Sequence, residues 1–180
     1  MASTSGSRSS APPTGHSLVT VARHGNNWSL SGGGVVTDGA EVLELRAGHQ
    51  PVTITDVRLV GARGVRLLGA RVTGPHRPTY QFFGAPGYPS REGRGSRPAI
   101  GATITDARRG WGLLVGLRVA STGFPLIEGV EIRYSVDRGV NHQVYAQVYR
   151  GSIIFCTQPP TGSSQDCRPP HSLERLVGFE

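Results

Sequence analysis

Residues 113–149 read LLVGLRVASTGFPLIEGVEIRYSVDRGVNHQVYAQVY, and the fold turns on this stretch. Val130, Ile132, Tyr134 and Val136 alternate with Glu131, Arg133 and Ser135. Successive strand side chains point to opposite faces, so this pattern predicts a strand with one face buried. Asp137-Arg138-Gly139 supplies turn chemistry, with Gly139 open to a positive φ. Beyond it Val140, His142, Val144, Ala146 and Val148 resume the alternation as the inward set. Before it Leu113, Val115, Leu117 and Val119 do the same. The expectation is three neighbouring strands that make most of one sheet.

The chain on either side fits this frame. Residues 18–23 suit an edge strand, and 42–46 a short strand with Leu43 and Leu45 inward. In 51–60, PVTITDVRLV, the apolar parity shifts from Val52 and Ile54 to Val57 and Leu59, which predicts a β-bulge near Thr55-Asp56 or burial on both faces. Residues 65–72 slip similarly at Leu67-Leu68. With the turn at 61–64 these two segments read as a hairpin. Residues 100–105 and 152–156 offer further strands, and 172–177 carries a weak helical period.

Seven or eight short strands with turn signals between them predict an all-β chain, an antiparallel β-sandwich of immunoglobulin-like architecture. A closed barrel is the alternative. The cysteine spacing does not fit an inter-sheet bridge of the immunoglobulin type, so the likeness concerns architecture alone. Residues 1–17, rich in Ser, Thr, Gly and Pro, read as a disordered tail or linker. Residues 18–157 form the domain, and 158–180 a disulfide loop and C-terminal tail.

The net charge of +7 comes with nineteen basic residues, every one of them Arg. A missing Lys points first to codon usage in a GC-rich genome, and the charge then reads as a solvated arginine-rich surface. Its functional reading is attraction to something anionic. The arginines are scattered instead of massed on one element, which argues against nucleic acid and leaves a protein or an anionic cell-envelope polymer as partner. No apolar run has the length of a membrane-spanning helix. No signal or anchor is present in the sequence given. Cys156 and Cys167 enclose a polar loop, which reads as one disulfide stabilising the fold by at most about 3 kcal/mol, the alternative being two unpaired thiols. That pairing favours a secreted or envelope-associated, extracytoplasmic location.

The order of motifs also carries a resemblance. PVTITDVRLVGARGVRLLGARVTGP, a long Pro/Gly/aromatic insertion, then PAIGATITDARRGWGLLVGLRVAST and IEGVEIRYSVDRGVNHQVY, resembles a recurrent pattern in uncharacterised actinobacterial exported proteins. The likeness covers about residues 48–149. It implies a small extracytoplasmic β-sandwich and brings no activity or site, because its motifs are strand and turn chemistry. The chain departs from that pattern in having no signal or lipobox before the domain.

Catalytic constellations are hard to find. Without Lys there is no P-loop and no Schiff-base lysine. There is no G-x-S-x-G elbow and no H-E-x-x-H. The six histidines do not pair at metal-ligand spacing, two cysteines cannot complete a zinc site, and no metal or cofactor is expected. His142 reads as a half-buried, hydrogen-bonded imidazole. Asp56, in mid-strand, reads as bulge-stabilising or Arg-paired, and Trp111 as a core or edge cover. Asn27-Trp28-Ser29 matches an N-glycosylation sequon by chance unless the source is eukaryotic.

The positive functional signal is the insertion at 74–99, GPHRPTYQFFGAPGYPSREGRGSRPA. It is too long and too rich in Pro and Gly for an ordinary hairpin loop. Tyr80, Phe82, Phe83 and Tyr88 stand there beside Arg77, Arg91, Arg94 and Arg97. Aromatic planes and guanidinium groups on one loop suit a ligand, through stacking and charge-assisted hydrogen bonds. The alternative is that the aromatics fold back to pin the loop while its arginines solvate it. The expectation is a non-enzymatic binding module using this insertion. Its competitors are a small carbohydrate-active hydrolase whose acids converge only in the fold, and a structural part of a larger envelope or virion assembly.

Overall fold

The computed structural model describes residues 12–20, 26–29, 33–74, 84–105, 110–138, 141–149, 152–157 and 172–173. In chain order the strands are β1 (Leu18–Thr20), β2 (Asn26–Ser29), β3 (Gly34–Leu45), β4 (Val52–Val60), β5 (Val65–Val72), β6 (Ala85–Pro86), β7 (Arg97–Pro98), β8 (Thr103–Ile104), β9 (Trp111–Val119), β10 (Leu126–Ile127), β11 (Gly129–Arg138), β12 (Asn141–Tyr149) and β13 (Ile153–Cys156). Among the described residues these thirteen segments exceed the seven or eight expected, and four of them, β6, β7, β8 and β10, are only two residues long. Over the described residues the chain is all-β, and its two larger sheets are antiparallel.

One sheet has the order β1-β3-β9-β5-β7, with β6 also paired to β3, and a second has the order β12-β11-β4-β8. A small third sheet, β10-β13-β2, contains a parallel strand pairing, β2 with β13. The 113–149 stretch is therefore divided. β11 and β12 pair as a hairpin, but β9 lies in the centre of the other sheet. The pairing runs through Asp137 and Arg138 to His142 and Asn141, so the reversal falls later than the turn residues suggest.

The expected hairpin of 51–60 with 65–72 is likewise overturned: β4 pairs with β11, and β5 with β9. Gly61 and Gly64, at φ 58 and 64, turn the chain from one sheet to the other. Both expected bulges are present. The β4–β11 register shifts opposite Arg133/Tyr134, leaving Thr55 unpaired, and the β5–β9 register shifts between Leu67 and Gly69. Asp56 serves the first of them, accepting from the Val57 amide at 2.9 Å and pairing with Arg58 at 2.6 Å.

The two larger sheets share one core. Val36, Leu43, Leu113, Val115 and Leu117 from one meet Val52, Ile54, Ile132, Tyr134 and Val136 from the other, with Phe155 among them. Each such side chain taken from water stabilises the fold by about 1.5–3 kcal/mol. Trp111 belongs to this core. The predicted parity of β12 is inverted. Tyr145 stands opposite inward-facing Tyr134, stacks on it at 5.8 Å, and packs against the core, while Val144 and Val148 are exposed. Cross-strand register decides the face, since opposed residues share it. His142 is placed by its backbone alone.

The tail expected over 1–17 is ordered nearer the domain than its composition suggests. The Ala146 amide donates to the Pro13 carbonyl and the Gly15 amide to the Ala146 carbonyl, both at 2.9 Å, along the outer side of β12. The Tyr134 hydroxyl accepts from the Ser17 amide at 3.2 Å. Gly15 leaves room for that hydroxyl, which a Cβ at this position would overlap. At the other end Leu173 packs with Phe124 on Leu126 and Ile154. Ser172 and Leu173 are helical, and the rest of the expected 172–177 helix lies outside the described residues.

Candidate functional site

The described part of the insertion, residues 84–99, crosses the outer face of the six-stranded sheet as a strap. At its start β6 pairs with β3, and at its end β7 pairs with β5, so the strap spans the central strand β9. Between these ends it is held by polar contacts. Thr37 Oγ1 donates to the Gly87 carbonyl at 2.6 Å and accepts from the Ser90 amide at 3.1 Å. Ser96 Oγ donates to the Gly93 carbonyl at 2.6 Å. Arg71, on β5, donates from Nε to Ser96 Oγ at 2.8 Å and from Nη2 to the Ser96 carbonyl.

Tyr88 turns inward beneath this strap. Its ring lies over Gly116, where a Cβ would overlap it, and its hydroxyl comes within 2.9 Å of where a Cβ on Gly69 would stand. Gly69 and Gly116 are cross-strand partners, so the two glycines open a trench as wide as one aromatic ring. Gly93 meets Leu114 in the same way, one pair further along. Burial raises the Tyr88 pKa above its ordinary value, and the Arg71 guanidinium offsets part of that rise.

The predicted site residues thus separate. Tyr88 packs the strap down. Arg97 lies over the Trp111 ring at 5.2 Å and donates to the Thr103 carbonyl at 3.4 Å. Arg91 and Arg94 are exposed on the turn between Ser90 and Ser96. Arg77, Tyr80, Phe82 and Phe83 lie outside the described residues. Cys156 is buried and is not a free thiol, while Cys167 is outside the described residues. Among the described residues no group of His, Cys, Asp and Glu could hold a metal ion, and no helix is long and apolar enough to cross a membrane.

Beyond the strap the same sheet face carries two exposed arginines. Arg118 follows Gly116 by two positions on β9 and so shares its outer face. Its direct partner on β5 is Arg66. Both are exposed, and neither makes a hydrogen bond or ion pair among the described residues. They border a shallow depression of about 560 Å³, lined also by Gly34, Gly64, Val65, Val119, Ala120 and Ser121. None of these eight residues is acidic. Like charges placed directly opposite on a sheet destabilise it by about 0.2–1 kcal/mol. Sequence reasoning missed this pair, because the two arginines are 52 positions apart (118 − 66) and meet only through the register.

No protein-family model and no curated protein sequence matches the chain.

Proposed function

We propose that this chain is a non-catalytic binding module acting outside the cytoplasm, an immunoglobulin-like β-sandwich whose strap contacts a protein or an anionic envelope polymer. The observation that carries the reading is the display of Arg91 and Arg94 on a turn whose flanks are fixed by buried hydrogen bonds. A guanidinium carried on a pre-ordered turn loses less conformational freedom on binding than one on a loose loop. The Tyr88 packing that fixes the strap is part of the device, so the two alternatives weighed for the insertion are complementary.

Retention of the intact protein on isolated cell-envelope polymer, measured against an Arg91→Ala/Arg94→Ala variant, tests the reading. Retention should weaken about tenfold in the variant, as expected for losing charge-assisted hydrogen bonds. Equal retention of both proteins would remove the strap from the binding surface. The extracytoplasmic location is tied to a Cys156–Cys167 disulfide, supported by the absence of a free thiol at Cys156 in a chain with two cysteines. Two titratable thiols in natively purified protein would overturn that location.

A further inference from the structure

We infer that the Arg66–Arg118 depression is a binding site for a phosphate monoester carried on a small hydroxylated body, such as a phosphorylated polyol or sugar. The site is separate from the strap and stands whether or not the strap binds anything.

Arg66 and Arg118 are direct cross-strand partners and present two guanidinium groups to one side of the sheet. Neither is neutralised by a described residue, and the lining of the depression brings no carboxylate. The charges are matched by an anion of two units. A dianionic phosphate supplies three terminal oxygens and can accept from both planar forks together. A carboxylate carries one charge and satisfies one fork.

The floor and rim indicate what the phosphate is attached to. A Cβ on Gly34 would meet nothing within 4 Å, so bare backbone faces open space on that side. Ser121 adds a hydroxyl, and Val119 and Ala120 add apolar or backbone surface. The volume of about 560 Å³ falls within the range of small-molecule sites, roughly 300–1,000 Å³, and is larger than one inorganic anion needs. Hydroxyls on a short carbon body suit a rim of backbone groups and one serine.

Titration calorimetry of the full chain with glycerol phosphate, glycerol, sulfate and acetate tests the assignment. Glycerol phosphate should bind saturably with one site, glycerol should not bind, and acetate should bind more weakly than sulfate. Affinity should rise between about pH 5 and pH 7.5, as the monoester gains its second charge with a pKa near 6. Arg66→Gln and Arg118→Gln should each weaken binding by roughly tenfold or more, whereas Arg91→Ala/Arg94→Ala should leave it unchanged. Unaltered far-ultraviolet circular dichroism in the Gln variants ties their loss to the site instead of the fold. The inference fails if no saturable binding occurs, if equal ionic strength of sodium chloride reproduces the response, or if both Gln variants bind like the parent.

Discussion

Gly116 and Arg118 sit two positions apart on β9 and point to the same side of one sheet, yet the first is covered by a tyrosine ring and the second is bare. The partners across the sheet repeat the contrast, with Gly69 opposite Gly116 and Arg66 opposite Arg118. Where both partners lack a side chain, the sheet surface is a trench into which an aromatic ring can settle. Where both are long and cationic, a passing chain would have to displace two solvated guanidinium groups, and the strap crosses elsewhere. The difference shows that a sheet face is divided into packed and accessible zones by the size of cross-strand pairs.

Filling the trench should break the contrast most severely. Gly116→Val places side-chain atoms where the Tyr88 ring lies, and overpacking at such a position costs about 3 kcal/mol. A urea melt should show the midpoint falling by that equivalent; an unshifted midpoint would mean that the ring is not seated on β9.

Emptying the trench from the other side should cost less, because Tyr88 is only partly buried. Tyr88→Ala is expected to lose about 2 kcal/mol and to expose the strap, so that trypsin cuts after Arg91 and Arg94 faster than in the parent. Unchanged cleavage would separate the ring from the ordering of the strap. Tyr88→Phe keeps the ring and isolates the ionisation. Burial holds the folded phenol above the ordinary value of 10.0. The unfolded chain therefore ionises first, and the contribution is complete below pH 10 and lost as pH rises through the folded value. The parent should lose stability above pH 10 more steeply than Tyr88→Phe; parallel curves would contradict the packing.

The bare zone should respond with the opposite sign and the smallest size. Arg118→Gln relieves the opposed charges and should raise stability by about 0.5 kcal/mol at low salt, with the gain shrinking as salt is added. A loss of stability would mean that Arg118 is engaged in holding the sheet.

The sequence carried local features faithfully and long-range ones poorly. The bulges at Thr55 and Leu68 were visible as parity slips, since a slip in alternation is itself the extra residue. Asp56 beside a bulge was equally local. Sheet membership was not legible. A Gly-Ala-Arg-Gly turn shows that the chain changes direction, but both a hairpin and a crossing between sheets use it. The β12 parity misled because Val144 and Val148 suit an extended backbone wherever they point, and only the Tyr134–Tyr145 register reveals the inner face. The strap's anchorage had a readable trace in the mid-strand glycines Gly69 and Gly116, which mark close approach by another group. The Arg66–Arg118 pair had none.

The contact between residues 13–15 and β12 bears on how the domain can be cut. A form trimmed to begin at Leu18, as composition alone would recommend, loses the Pro13 and Gly15 partners of Ala146 and vacates the space above the Tyr134 hydroxyl. It would present an open strand edge with Val144 and Val148 beside it, the arrangement that recruits neighbouring molecules into extended sheets. Poor solubility of such a fragment would then report on its boundary and not on the quality of the core. A form that begins at Pro13 keeps both of these hydrogen bonds to Ala146.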